Sequence, residues 1–259
     1  MPSGTTPQLS ALESREAPVC TKVPGPRRLL ALDALRGATV ISMVAFHVMY
    51  DLTHLYGINA PWFTDGPLQG IWRISISWVF LALAGWMTSH SRSNLKRGLR
   101  YSLVALLIWA VTAVSGVGIS ISYGIMYCMA VSTLLWCAMD KFAPRLASKR
   151  PSACAALLLL AFAALYMVPR SSYPFEGFAW LGFPGPEFRS ADYYPIIPFS
   201  LLFLSSAYAS RGFARSGRKV PAWMYRDVFP PLTFVGRHAL AIYVMHQPIA
   251  LAVIEIFMR

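Results

Sequence analysis

The chain has 259 residues, 56% of them hydrophobic and only 13% charged, with a net charge of +12 and a mean hydropathy of +0.50. A soluble domain carries about 25% charged residues, so this composition excludes that class and points to a protein that crosses a membrane several times. The positive charge is spread over alternating loops and not gathered in one patch, which a membrane explains and a nucleic-acid partner does not.

Residues 1–28 carry Pro, Ser, Thr and mixed charge with no apolar h-region. They read as a flexible cytoplasmic tail and not a cleaved signal peptide, with the membrane domain occupying 29–259. Crossing the hydrocarbon core takes roughly 20 helical residues. Runs of that kind lie near 29–50, 70–90, 99–115, 119–139, 153–168, 194–210 and 232–257. The expected fold is therefore all-α, a polytopic membrane helix bundle of about seven transmembrane helices. The fourth and fifth runs are the weakest, because "SGVGIS" is a very short link and 153–168 is short for a full crossing.

Basic residues mark one side. Arg15, Lys22, Arg27 and Arg28 precede the first run, Arg92, Lys96, Arg97 and Arg100 follow the second, Lys141, Arg145, Lys149 and Arg150 follow the fourth, and Arg211, Arg215, Arg218, Lys219 and Arg226 follow the sixth. The other loops hold only Arg170 and Arg189, with Arg259 at the end. This asymmetry puts the N-terminus in the cytoplasm and the C-terminus outside. Cys20, Cys128, Cys137 and Cys154 show no CxxC or Cys/His spacing, so neither a disulfide framework nor a metal site is expected.

Ionisable side chains at membrane depth cost about 2.5 to 3.5 kcal/mol each, so they are the places to look for chemistry. The first run contains Asp33, Arg36, His47 and Asp51. Eleven helical residues turn the chain through about 1100°, so Arg36 and His47 project from nearly one face, about 16 Å apart along the axis. Asp33 stands three residues before Arg36 and Asp51 four after His47, each one turn from its neighbour. An imidazole with a carboxylate one turn away can be held in one tautomer and serve as a general base, and a deeper guanidinium can hold an anion. Taken singly, His47 also reads as a polar residue at the helix mouth and Arg36 as a snorkelling anchor.

Arg73 stands near the outer entrance of the second run, where it can snorkel or meet an anionic or sugar ligand. Tyr123, Gly124 and Tyr127 suggest close packing of small and hydroxylated residues. The loop 169–193 is rich in Pro, Gly and aromatics and reads as an interfacial cap, or as a lid or platform for an acceptor sugar. In the last run, "FVGRHALAIYVMHQPIALAVIEIF", Pro248 is expected to distort the helix and leave the carbonyl of Val244 without a donor. His246 and Gln247 beside it can satisfy freed backbone groups or line a cavity facing His47. Arg237 and His238 read as cytoplasmic anchors or anion ligands.

"LDALRGATVISMVAFHVMYDL", "SWVFLALAGW", "YGIMYCMAVSTLL", "ADYYPIIPFSLLFL" and "GRHALAIYVMHQP" occur in this order. Together they resemble the membrane catalytic domain of heparan-α-glucosaminide N-acetyltransferases, in particular the short bacterial members. The spacing of Arg36 and His47 also resembles the first-helix motif of the wider acyltransferase-3 group. The resemblance implies transfer of an acetyl group from cytoplasmic acetyl-CoA, as co-substrate, to an amine or hydroxyl of a sugar or glycan across the membrane. It implies Arg36 at the CoA end and His47 at the transfer centre, with no metal.

Asp33 and Arg237 join Arg36 as expected cofactor-binding residues, Asp51 joins His47 as catalytic, and Arg73, His246 and Gln247 are assigned to substrate or cavity. Two positions depart from the family pattern. Asn59 in "NAPW" stands where animal members have a His, and Tyr127 where many bacterial relatives have one. Direct transfer and a two-step route through acetyl-His47 both remain open. The other function classes are a proton-coupled transporter using His47, Asp51 and His246, and a non-catalytic membrane protein of the same fold. The expected setting is the bacterial inner membrane, with lipid and a glycan acceptor as partners and homo-oligomerisation left open.

Overall fold

In the computed structural model, which describes residues 28–115, 119–142 and 150–258, every regular element is a helix. The expected tail up to residue 27 with Cys20, residues 116–118 of the short link, Arg145, Lys149 and Arg259 lie outside the described residues. The helices are α1 Leu30–His54, α2 Pro61–Thr64, α3 Leu68–Trp86, α4 Asn94–Ser115, α5 Ile125–Phe142, α6 Pro151–Ala164, α7 Ile196–Arg215, α8 Pro230–Arg237 and α9 Ala239–Met258.

Among the described residues six helical segments are long and apolar enough to cross a membrane: α1, α3 with the turn that follows it, α4, α5, α6 with its extension to Arg170, and α9. The short run at 153–168 thus reaches a full length through its extension, a 3-10 turn over Val168–Arg170. α7 stands where a further span was expected and is not among the six. Its serines and its two arginines dilute its apolar character, and it lies enclosed by α3, α5 and α6. There Ser205 Oγ donates to Ala155 O of α6 (2.8 Å) and Ser206 Oγ to Ala82 O of α3 (2.6 Å).

Such bonds suit a bundle in lipid. Apolar burial between helices gains little when the surrounding tails are equally apolar, so packing and interhelical hydrogen bonds hold the helices together, the latter at about 0.6 to 2 kcal/mol each. The central cluster joins Leu81, Met129, Trp136, Phe162, Phe203 and Tyr208 from α3, α5, α6 and α7. α4 packs on α5 and leaves Leu99, Leu103, Leu106 and Trp109 exposed, as a lipid-facing helix does.

The last expected run is not one helix. The chain breaks at His238, whose φ of −100° and ψ of 12° separate α8 from α9, while α9 continues through Pro248. The position of the break follows from packing on α1. At the α1–α8 crossing, a Cβ on Gly236 would overlap the carbonyl oxygen of Asp33, and one on Gly37 would overlap that of Leu232. Only glycine at both positions lets the two backbones meet there. α8 is thereby fixed on α1 beside Asp33, and α9 rises parallel to α1 from that point.

Candidate active site

The crossing at Gly37 and Gly236 sets the register between α1 and α9, and that register brings the polar residues of the two helices together. The imidazoles of His47 and His246 face each other with centroids 4.9 Å apart and planes tilted by 54°. One turn further on, Gln247 Nε2 donates to Asp51 Oδ2 at 2.8 Å, and Asp51 is buried. At the tops of the same helices Tyr56 Oη donates to a carboxylate oxygen of Glu255 at 2.9 Å. Three polar contacts therefore run up a single α1–α9 seam.

Asp51 stands one turn from His47 as the spacing predicts, yet the hydrogen bond drawn to its carboxylate comes from Gln247. The ring next to His47 is His246 instead. His246 Nδ1 lies 2.7 Å from the carbonyl oxygen of Tyr243. A carbonyl can only accept, so Nδ1 carries the hydrogen, and in the neutral ring Nε2 keeps the lone pair. That Nε2 is buried and has no hydrogen-bond partner. An imidazole locked in this tautomer beside a second imidazole is a proton acceptor held ready at membrane depth.

At the opposite end of α1, Asp33 is buried and lies between two guanidiniums. Arg36 Nη1 is 2.7 Å from Oδ1 and Arg28 Nε is 2.5 Å from Oδ2. The Asp33–Arg36 pair is the one expected from i, i+3 spacing; Arg28 as second partner was not anticipated. Arg97 at the start of α4 donates to Ala84 O at 3.0 Å and lies close enough to Arg36 for the charges to interact. Its Nε has no partner. Arg28, Arg36 and Arg97 against Asp33 leave a local charge of +2. Arg237 follows Gly236 directly and is exposed at this same end, and His238 Nδ1 lies 2.9 Å from Phe234 O. Asp33, Arg36 and Arg237 are thus brought to one end of the bundle.

Arg73 lies elsewhere. It lines a cavity of about 160 Å³ with Ser77 of α3, Tyr166, Ser190, Asp192 and Phe199. The end of the expected cap loop forms one wall by docking on the start of α5. Ser122 N donates to Ser190 Oγ (2.9 Å), Tyr194 N to Tyr123 O (2.9 Å) and Ile125 N to Asp192 Oδ2 (3.0 Å). Asp192 thus satisfies one of the orphan amides of α5 from a distant part of the chain. Gly124 makes room for it, since a Cβ there would come within 2.7 Å of the same carboxylate oxygen.

Burial pushes the Asp192 carboxyl up to about 6, against the opposing effects of the Ile125 amide and the charge of Arg73. Burial likewise raises the phenols of Tyr193 and Tyr194. Tyr243 links the two regions. Its ring lies 5.8 Å from that of His246, and it is also within electrostatic reach of Asp192 and Tyr194.

The structure therefore joins His47, Asp51, His246 and Gln247, and gathers Asp33, Arg36 and Arg237 at the other end. Asn59 is exposed in the loop before α2, and Tyr127 packs with Tyr123 at 5.2 Å. Sequence reasoning missed Asp192, whose only signal is an acid four residues before a helix. Among the described residues no group of three or more His, Cys, Asp and Glu is placed to hold a metal ion.

Comparison with known proteins bears on what this seam is for. A family model described as "Heparan-alpha-glucosaminide N-acetyltransferase, catalytic" matches residues 28–248, which include both ends of α1 and the histidine of α9. No curated protein and no solved structure matches the chain. With six helices fit to cross a membrane and this match over most of its length, the chain is an integral membrane protein of the heparan-α-glucosaminide N-acetyltransferase catalytic family, a membrane acetyltransferase family.

Proposed function

We propose that the protein transfers an acetyl group from cytoplasmic acetyl-CoA to an amine or hydroxyl of a sugar or glycan on the other side of a bacterial inner membrane. The observation that carries this reading is the opposed pair of imidazoles, His47 and His246, one of them with a buried and unpartnered ring nitrogen. A structural histidine in a membrane bundle is normally satisfied on both sides, because an unpaired polar atom in hydrocarbon is costly.

Acetyl-CoA suits the rest of α1. Its phosphates need a basic site, and the Arg28, Arg36 and Arg97 group carries more positive charge than Asp33 cancels. The pantetheine arm is long and narrow, and α1 is one unbroken helix, so His47 lies about 16 Å along it from Arg36. The thioester then lies against the histidine pair. The acceptor nitrogen or oxygen attacks the thioester carbonyl carbon, its proton passes to a ring nitrogen of His47, and the C–S bond breaks. The departing thiolate takes that proton, so product and free CoA both leave neutral at the reacting atoms. His246 stands beside His47 as the second wall of the site, and Asp51, held by Gln247, supports the same turn of α1.

The test is turnover of the purified protein in nanodiscs with acetyl-CoA and a panel of amino sugars and neutral sugars. Acetylated product is expected, and His47→Ala should lower its rate by about 10²- to 10⁴-fold while keeping the wild-type melting temperature. His246→Ala should retain measurable activity. Full activity in His47→Ala, or a greater loss in His246→Ala, would overturn the assignment of the base. Proton flux into protein-containing vesicles with no acetyl transfer would favour a transporter.

A further inference from the structure

The connection from α7 to α8, residues 216–229, lies at the end of the bundle where α1 begins, and it is fastened there. Its 3-10 turn, Ala222–Tyr225, packs against α1. Thr233 Oγ1 of α8 donates to Asp227 Oδ1 at 2.6 Å, and Thr233 is itself buried. α8 in turn is held on α1 by the crossing at Gly37 and Gly236. The side chains that remain outside therefore stand on a fixed platform.

Those side chains are of two kinds. Trp223, Val228 and Phe229, with Phe234 of α8, each expose more than half of their surface. Arg218, Lys219 and Arg226 are exposed along the same stretch, and their side chains make no hydrogen bond or ion pair among the described residues. The only acid of the stretch, Asp227, accepts from Thr233, and three bases against one acid leave residues 216–229 with a charge of +2.

The rest of the molecule shows what hydrocarbon takes. Leu103, Leu106 and Trp109 are exposed on α4, a long helix whose backbone bonds are internal. The connection cannot follow them into hydrocarbon, because it is mostly irregular backbone and carries charge. Water would accept the bases and leave the rings uncovered. The headgroup layer satisfies both, since aromatic rings settle at its level and bases meet lipid phosphates there. That layer adjoins the end of α1 whatever else is bound, which favours lipid over a protein partner. A zwitterionic headgroup offers nothing to balance +2, and an anionic one does.

We propose that residues 216–229 with α8 form a docking surface for anionic phospholipid: Trp223, Val228, Phe229 and Phe234 enter the headgroup layer, and Arg218, Lys219 and Arg226 pair with lipid phosphates. The surface is independent of the acetyl-transfer reading.

Native mass spectrometry of the full-length protein in detergent tests it, with phosphatidylglycerol and phosphatidylcholine of the same acyl chains as probes and glycerol 3-phosphate as a headgroup without a tail. Phosphatidylglycerol should bind about tenfold or more tightly than phosphatidylcholine, and glycerol 3-phosphate should not displace it. The triple variant Arg218→Gln, Lys219→Gln, Arg226→Gln should erase that preference, each base contributing up to about fivefold. Phosphatidylcholine binding and the melting temperature should stay as they were, because these side chains make no bond within the protein. Trp223→Ser with Phe229→Ser should weaken both lipids alike. Neutralising Arg92, Lys96 and Arg100, exposed around the start of α4, should leave most of the preference in place. In nanodiscs, hydrogen exchange across residues 216–229 should slow when phosphatidylglycerol replaces phosphatidylcholine, and the triple variant should lose that slowing.

Equal binding of the two lipids by the wild type, or a preference kept in the triple variant, would overturn the proposal. So would an equal loss on neutralising Arg92, Lys96 and Arg100, which would reduce the effect to general charge. Displacement by glycerol 3-phosphate would make the surface a site for a soluble anion, and exchange indifferent to lipid charge would leave it to a protein partner; either result overturns the assignment to lipid.

Discussion

The two ends of α1 treat their polar groups in opposite ways. At the Asp33 end each oxygen of the buried carboxylate meets a guanidinium, Arg36 with 21% and Arg28 with 58% of its side chain exposed. At the His47 end a ring nitrogen of His246 and the amide oxygen of Gln247 are buried without partners. Apart from Arg97 Nε, which has no partner, the Asp33 end is a closed charge cluster with wet edges, which costs little to keep and suits the holding of an anion. Unpaired polar atoms in a membrane interior cost more, and a site that moves protons has a use for them. On the proposed function, one helix carries a binding end and a reacting end, and kinetics should separate them.

The largest effect expected is on the reacting end. His47→Ala should lower kcat by about 10²- to 10⁴-fold, the usual contribution of a general base, with acetyl-CoA affinity nearly unchanged. Arg36→Gln should do the reverse, raising KM for acetyl-CoA about tenfold at similar kcat, as loss of a charged contact made equally in ground and transition states does. A fall in kcat for both variants would erase the distinction between the ends. Gly236→Ala tests what holds the ends in register. Its Cβ would overlap the Asp33 carbonyl, and overpacking of this kind costs about 1 to 3 kcal/mol, read as a lowered melting temperature in detergent. Gln247→Leu removes the donor to Asp51 and should reduce kcat about tenfold, a loss of about 1.4 kcal/mol typical of a hydrogen bond to a charged group, without lowering acetyl-CoA binding.

The geometry of α1 was legible in the sequence. The i, i+3 pairing of Asp33 with Arg36 and the shared stripe with His47 follow from helix geometry alone, and α1 is one helix from Leu30 to His54. What depended on other helices was not legible. Asp51 was expected to serve His47 because both lie on one helix, but its bond comes from Gln247, 196 residues away, through a register set by two glycines. The break at His238 was hidden for the same reason, since Pro248 is the stronger local signal and the α1–α8 contact that needs the break is not local. Asp192 was missed because its meaning comes from the amide of Ile125, 67 residues earlier, and from Arg73.

Asp192 also supplies the smallest and most specific test, because it stands outside both ends of α1. Its carboxyl is raised from 3.8 to about 6 in the folded protein, chiefly by burial. Between those values the folded state holds a proton that the unfolded state has released, so stability falls as pH rises through the window from about 4 to 6. Below it both states are protonated and above it both are ionised, so the contribution is flat on either side. Asp192→Asn keeps an oxygen able to accept from Ile125 N and removes the charge. The variant should therefore melt at or above the wild-type temperature at pH 7.5, and the difference should shrink as pH is lowered towards 4. A variant that melts lower at pH 7.5 would mean that the ionised carboxylate stabilises the fold through Arg73, and that the attraction between the two charges outweighs the cost of burial.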